Sequence, residues 1–575
     1  GRFSVPIHSL AAYSRPLPAG VTRGVQKNSP FYAHSWENGY AILSLILKNQ
    51  GYRLEVMVMQ LFSEYLRDLL QAKRQTVSAL ARLSGVERTT LSKALTGQRV
   101  LPYGALDALI YHLRLTPGEE QRLRAYYDAQ FEKEGIRRSR EIVSKLFSDL
   151  AELDFTTPAF EETRLLMNLE RYAGTRSIFS GATNVQPLLR IVLTEELTRP
   201  DARVELTVPP TDVFLNDELL RRYLDGRMTA EISQIIAFDA SGAAGDINLH
   251  NLECFCRILP ICLLSKRHYH PYYYYDNSIA ARYTDPFPYF LATHSCVVCL
   301  SEDGGQAMLL RGTDQVNCYH RHFQSLLSQC YNLIQYTADP AEILASYDGY
   351  TDENGFYMIM DQPCFGRFYD EGVINEYLRR ELPFYGRLAE AARRRFGRLR
   401  TVEQFYTLFS LSGLARFGRT GALDDFPDAF VKPFPPEQRR RLMAALAERI
   451  RTGDVTGRLL KPGVFPDYLS MTTSQRSGVG FFTTEHFPLQ DGFCSVQIRE
   501  PNLCLAFHGW LTHLPGSDRA LTAEETAAAL EERGLETVYI HCSGDPDSLD
   551  GVIAPAIRTA IVDGTAPHVL EPRTM

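Results

Sequence analysis

The chain has 575 residues, 45% hydrophobic and 22% charged, which is the make-up of a folded globular protein with room for two to four domains. Its net charge of -7 excludes non-specific nucleic-acid binding by the whole surface. Eleven cysteines at irregular spacing argue against a disulfide framework. The longest early apolar run, Ala41 to Leu47, is far too short for a membrane span, so a cytoplasmic location without membrane contact is expected.

In chain order, residues 1–58 come first, with scattered Pro, Gly, Ser and aromatic residues and little periodicity. The chain opens on Gly1, and Met57 and Met59 stand just before the first periodic segment, Leu61 to Ala72. The expectation is a natural start there, with residues 1–58 a poorly ordered or non-native extension. Two short segments then flank the turn Leu83-Ser84-Gly85-Val86. Val77, Leu80, Ala81 and Leu83 mark the first, and Val86, Leu91, Ala94 and Leu95 the second. Both fit a period near 3.6, which predicts two helices with one buried face each. Gly85 can take the positive φ that a tight inter-helix turn needs. A further helix is expected over Tyr103–Leu113. Thr116-Pro117-Gly118-Glu119 then starts another, to about Glu134, with a Thr cap, Pro at the first position and Glu three residues on. The second motif helix leaves Arg88, Thr89, Ser92 and Lys93 free, a guanidinium fork, two hydroxyls and an ammonium that suit base edges and phosphates. Gln75 and Thr76 fall at the start of the first motif helix, where phosphate is favoured. Glu87 and Arg99 flank the second. Met59 to Arg140 carries 14 Lys+Arg against 9 Asp+Glu, about +5 beside about -12 for the remainder. A basic module on an acidic body is the footprint of a DNA-binding head.

These residues resemble the Xre/Cro-like helix-turn-helix domain of bacterial and phage repressors. The match is carried by Ala79-Leu80-Ala81, Ser84-Gly85-Val86, Arg88-Thr89-Thr90-Leu91-Ser92-Lys93 and Gly97, within about one seventh of the chain. It implies a compact five-helix head over 59–134, a double-stranded DNA operator as partner and a homodimer on a two-fold site. Two positions depart from the family pattern. Val77 stands where the family usually has Gln, and Glu87 where it often has Ser. Both leave the operator sequence open.

Gly135 to Lys145 is basic, and helices at about Arg140–Leu153 and Pro158–Tyr172 make residues 135–175 a helical linker. The body follows as an α/β unit over 176–345 and an α+β unit over 346–575, expected to sense an effector or hold the dimer. In the first, a strand Arg203–Val208 precedes a helix capped by Asn216. A strand Ser233–Phe238 and a helix Ile247–Leu264 come next. Phe290–Leu300 and Gln306–Arg311 flank the turn Asp303-Gly304-Gly305, and Cys318–Ile334 reads as an amphipathic helix. In the second, helices are expected over Ile374–Arg398, Thr401–Leu414 and Pro435–Ile450. Strands are expected over Gly478–Thr483, Ser495–Arg499, Asn502–His508 and Thr537–His541, with a helix from Thr522-x-x-Glu525 to Gly534 before the last. The halves share no sequence repeat. The fold class is multidomain, an all-α head followed by a large α/β (α+β) body.

Chemistry-bearing clusters in the body are few. His268-Tyr269-His270-Pro271, continuing to Asp276 through four tyrosines, reads as a loop. Four consecutive tyrosines cannot all face one core. His268, His270, Tyr272, Tyr273, Tyr274 and Tyr275 are therefore candidate contacts for an unknown small-molecule or protein effector, with plain loop packing as the alternative. Cys254, Cys256 and Cys262 lack the knuckle spacing of zinc sites, so buried thiols and no metal or cofactor are expected. Val538 to Gly544 is similar to the strand-to-loop segment of cysteine phosphatases, but the position six after Cys542 is Ser548 where the anion-gripping Arg would stand. The first body unit resembles a phospholipase-D-like half-domain. That family's catalytic signature is His-x-Lys, and none of the 14 histidines has Lys two residues later. The expectation is a transcription regulator and not an enzyme. The alternative is an enzyme or defence effector that uses the head for targeting or autoregulation.

Overall fold

The computed structural model describes residues 53–128, 134–153, 168–224, 230–240, 247–265, 267–276, 285–339, 341–344, 355–426, 429–474, 477–484, 486–487, 494–534, 538–541, 549–554 and 559–562. Residues 1–52, most of the helix expected over Pro158–Tyr172, the expected boundary between residues 345 and 346 and the Cys542–Gly544 loop lie outside them.

Five helices make the head: α1 (Arg53–Ala72), α2 (Val77–Ser84), α3 (Arg88–Leu95), α4 (Tyr103–Leu113) and α5 (Pro117–Asp128). Each contributes one apolar stripe to a shared core that includes Phe62, Leu66, Leu80, Leu91, Leu109 and Leu123. Each such side chain contributes roughly 1.5–3 kcal/mol on burial. The start of α5 is held as its sequence requires. The Thr116 N–H donates to Glu119 Oε2 at 2.8 Å, and the Glu119 N–H donates to Thr116 Oγ1 at 3.3 Å. Glu119 also accepts from Lys73 Nζ at 2.7 Å, which pins α5 to the end of α1.

Helix α6 (Glu134–Ala151) follows, then α7 (Leu169–Ala173) and a body built on two mixed sheets. The first sheet contains β1 (Ile178–Ser180), β2 (Arg203–Leu206), β3 (Glu231–Asp239), β4 (Tyr269–Asp276), β5 (Tyr289–Ala292), β6 (Val297–Leu300), β7 (Gln306–Leu310) and β8 (Tyr331–Asn332). Helices α8 (Ala182–Leu197), α9 (Val213–Leu224), α10 (Leu249–Leu264) and α11 (Thr313–Leu327) connect and cover it. The second contains β9 (Gln335–Thr337), β10 (Gly355–Ile359), β11 (Gln404–Ser410), β12 (Thr456–Leu460), β13 (Leu469–Ser474), β14 (Gly478–Thr483) and β15 (Ser495–Ile498). Its helices are α12 (Glu371–Tyr377), α13 (Tyr385–Leu399), α14 (Leu411–Thr420), α15 (Pro436–Arg451) and α16 (Pro501–His513). Helix α17 (Ala523–Gly534) and a three-stranded antiparallel sheet, β16 (Val538–His541), β17 (Leu549–Ala554) and β18 (Thr559–Val562), end the described chain.

The two halves repeat one topology. The first sheet runs β1-β7-β6-β5-β2-β3-β4, with β8 added at the edge; the second runs β9-β15-β14-β13-β10-β11-β12. In both, three strands are parallel and linked by helical crossovers. In both, an antiparallel meander sits on the other side and a helix follows it. The duplication is invisible in the sequence because a sheet of this kind requires only apolar faces and crossovers, not particular residues.

Several expected elements change type in place. Thr401–Leu414 is not one helix. Its first part is β11, which pairs between β10 and β12 in the second sheet, and α14 begins only at Leu411 under a Ser410 cap. Asn502–His508 is not a strand but the body of α16, started by Pro501 and capped by Glu500, whose carboxylate accepts from the Leu503 N–H at 2.7 Å. Ile374–Arg398 breaks into α12 and α13 around Pro383. Phe290–Leu300 folds back as the β5–β6 hairpin. The cap of α9 is Asp212, which accepts from the Leu215 N–H at 2.9 Å, rather than Asn216. The tyrosine run is strand β4, paired in parallel with β3 along its whole length. Periodicity over short apolar runs does not separate a buried strand from a buried helix, and tertiary neighbours decided each case.

Helix α6 does more than connect head to body. Val143, Leu146, Phe147 and Leu150 enter the main body core, which also takes α10 and α16. Phe147 meets Trp510 with ring centroids 4.7 Å apart, and the Trp510 Nε1–H donates to Ser144 Oγ at 2.8 Å. The Tyr468 hydroxyl donates to the Leu150 carbonyl at 2.6 Å. Among the described residues no helix is long and apolar enough to cross a membrane.

Candidate nucleic-acid interface

The site begins with Thr76. It takes an extended conformation before α2, and its Oγ1 accepts from the Ala79 N–H at 3.2 Å, leaving other N–H groups of the first turn unsatisfied. Gln75 is half-buried beside it. Leu80 and Ala81 face the core, and the small Ala81 lets α2 and α3 approach. Gly85 closes α2 at φ +70°, a conformation that any side chain would strain. The chain then enters α3 at once. Leu91, Ala94 and Leu95 are buried, and this spacing leaves Arg88, Thr89, Ser92 and Lys93 exposed along the opposite side. Arg99 is exposed just beyond the helix.

Two of the candidate contacts are engaged with each other. Glu87 caps no backbone N–H of α3. Its Oε1 accepts from the Thr89 hydroxyl at 2.6 Å, and its Oε2 from Thr90 at 3.5 Å. The carboxylate thereby sits at the positive end of the α3 dipole, which favours the helix and occupies the place an anion would take.

Two sets stand out among the cations of the head. Lys73 is bound to Glu119, and Arg124 to Asp107 and Glu120. Arg122 lies over the Tyr65 ring at 5.0 Å. These serve the fold. Arg74, Arg82, Arg88, Lys93 and Arg99 have no ion-pair partner among the described residues. Arg74 and Arg82 were not in the sequence-derived set. Arg74 stands two residues before the Thr76 cap with φ +51°, and Arg82 lies exposed on α2. The signal for Arg74 was the Lys73-Arg74 pair ahead of a Thr-capped helix, of which only one member finds an acid.

The helix-turn-helix domain family matches residues 61–123, from within α1 to Leu123 of α5. Residues 61–123 form a helix-turn-helix domain. No curated protein matches the chain. Within the helix-turn-helix domain α2 and α3 are the two motif helices, and Arg74, Arg82, Arg88, Lys93 and Arg99 lie on them and on the turns that flank them, whereas Arg114, exposed at the end of α4, lies apart.

The second candidate set, on β4, is not brought together. His268 Nδ1 and His270 Nε2 both lie 2.7 Å from the carboxylate of Glu231, the first residue of the neighbouring strand β3. Desolvation opposes it, but the bonds from His268 and His270 hold the Glu231 carboxyl below the usual carboxylate range. The tyrosines alternate. Tyr272 and Tyr274 pack with Phe290 and Phe323 beneath α11, whereas Tyr273 turns to the main core against Phe238 and Tyr331. The Tyr275 hydroxyl donates to Glu500 Oε1 at 2.5 Å, tying the first half to the cap of α16. Of the six residues, Tyr274 lines a cleft at the end of the strand, about 13 Å from His270 at 3.3 Å per residue. Cys254, Cys256 and Cys262 sit within α10, where burial pushes the Cys256 and Cys262 thiols up and keeps them inert.

Proposed function

We propose that this protein is a sequence-specific DNA-binding transcription regulator acting in the cytoplasm, with an Xre/Cro-like head and a body that senses an effector or holds a homodimer. The observation that carries the reading is the exposed side of α3. Arg88, Ser92 and Lys93 stand on a helix whose other face is locked into the core, and both cations lack intramolecular partners among the described residues. Arg88 suits a guanine edge by its fork, and Lys93 suits a phosphate. One head presents one helix to one half-site, which favours two copies on a two-fold operator. The duplicated topology supports the resemblance of the body to phospholipase-D-like half-domains. With no His-x-Lys in the chain, a non-catalytic body is part of the proposal.

The test is footprinting and affinity measurement on the DNA flanking the protein's own coding region. Arg88→Ala should weaken binding by roughly 1–3 kcal/mol and relax preference at one base pair. Lys93→Ala should weaken all sequences alike and lower the slope of log affinity against log salt by about 1. Affinity, footprint and slope unchanged in both variants would sink the assignment of this face.

A further inference from the structure

We propose that the first half of the body carries a binding site for a planar aromatic cation. The proposal goes beyond the DNA-binding reading and is independent of it. A cleft of about 690 Å³ lies between the C-terminal ends of β2–β4 and helix α11. Its volume is of the order that holds a small ligand. It sits where β2 has a parallel neighbour, β3, on one side and an antiparallel one, β5, on the other. At such a switch point an open α/β sheet leaves a crevice outside its carboxyl ends.

The walls specify the ligand class. Tyr274, Phe287, Tyr289, Phe290 and Tyr319 contribute five aromatic rings. Phe290 and Tyr319 meet edge to face at 5.0 Å, and the Tyr319 hydroxyl accepts from Cys299 Sγ at 3.2 Å, which fixes that ring. Burial pushes the Tyr319 phenol up, so its ring stays neutral. The carboxylates on the wall are those of Asp276, Asp285 and Glu302; the basic side chains that line the cleft are the imidazoles of His250 and His322, and no Lys or Arg does so among the described residues. Asp285 accepts from the Phe287 N–H at 2.9 Å, and neither it nor Glu302 has an ion-pair partner among the described residues. An anion here would face three carboxylates with no fixed cation to offset them. A flat cation would gain from the ring quadrupoles and from the carboxylates together.

The full chain, without DNA, is titrated into proflavine, a planar aromatic monocation, and followed by fluorescence anisotropy. 8-Anilinonaphthalene-1-sulfonate serves as an anionic aromatic of similar size. One saturable proflavine site per chain is expected, with no competition from the sulfonate. Asp285→Asn combined with Glu302→Gln, two exposed positions, should weaken it about fivefold or more, and Tyr319→Leu by a similar factor. Circular dichroism checks that both variants fold. No saturable binding, equal binding of the two probes, or wild-type affinity in both folded variants overturns the proposal. Because DNA is absent from the titration, a failure of the regulator reading leaves this outcome untouched.

Discussion

Gly85 and Gly421 share a backbone conformation, φ +70° and +73°, yet alanine should be tolerated very differently at the two. At Gly85 an added Cβ meets nothing within 4 Å, so only backbone strain is incurred, about 1–2 kcal/mol. At Gly421 the same atom would stand 2.1 Å from the Phe434 carbonyl oxygen, well inside van der Waals contact distance. Gly421→Ala should cost more than about 3 kcal/mol, since the strand-like contact to Phe434 must open. Urea unfolding of the two variants checks the contrast. His513 supplies a pH dependence. Burial, helped by the Arg140 guanidinium and opposed by Asp518, pushes its imidazole down to about 4 from 6.5. The native state therefore holds the neutral ring, so its contribution is fully present above pH 6.5 and is lost as pH falls toward 4. Acidification from pH 7 to pH 5 should remove about 2 kcal/mol of stability through this group, and His513→Gln should flatten that part of the profile.

Helix α3 shows how an element can favour its own fold at the expense of ligand attraction. Glu87 interacts favourably with the α3 dipole and ties up the Thr89 hydroxyl, while placing a carboxylate where phosphate would approach. Glu87→Gln should lower head stability by about 0.3–1 kcal/mol and raise non-specific DNA affinity several-fold at low salt. Thermal melts and a salt titration of binding read the two effects separately; a fall in affinity would contradict this picture. Helix α16 poses the opposite case, an element stabilised almost wholly by its neighbours. Trp510 is fully buried against Phe147 and bonds Ser144, so it couples α16 to α6. Trp510→Ala should cost roughly 3–5 kcal/mol, and Ser144→Ala about 1–3 kcal/mol because the indole N–H loses its partner in a dry site.

Across the whole molecule, the head has a core of its own, while the largest core of the body is shared by its two halves, beside smaller cores within each half. The main core joins α6, the first-half residues Leu252, Phe255 and Ile258, and the second-half residues Phe481, Phe507 and Trp510. Polar ties reinforce it, with Tyr275 on Glu500 and the Asn248 N–H on Asn502 Oδ1 at 2.7 Å. The body should therefore unfold as one unit despite its duplicated topology. Hydrogen exchange on Trp510→Ala checks this: amides of β3 in the first half and β14 in the second should lose protection together. Protection lost in β14 alone would show two independent halves.

How much of this could be read beforehand depends on range. The helix-turn-helix segment was legible because its determinants are local. A Thr cap, a glycine at positive φ and apolar residues three and four apart act within a few turns of chain, and they place Arg88, Ser92 and Lys93 outward without help from the body. The body was legible only as mixed α and β. Gln404–Ser410 and Pro501–His513 each have apolar patterns that fit two structures, and only their neighbours, β10 and β12 for one and α6 and α10 for the other, select between them. The tyrosine run shows the same limit at the level of a site. Its composition marked an unusual surface, but strand pairing with β3 set the alternation that sends Tyr272 and Tyr274 beneath α11, Tyr273 into the core and Tyr275 onto Glu500. Sequence alone determined the head, since its interactions close within a few tens of residues. Tertiary structure decided the duplicated sheets, the shared core and the acidic aromatic cleft, because each depends on contacts between residues far apart in the chain that no local pattern encodes.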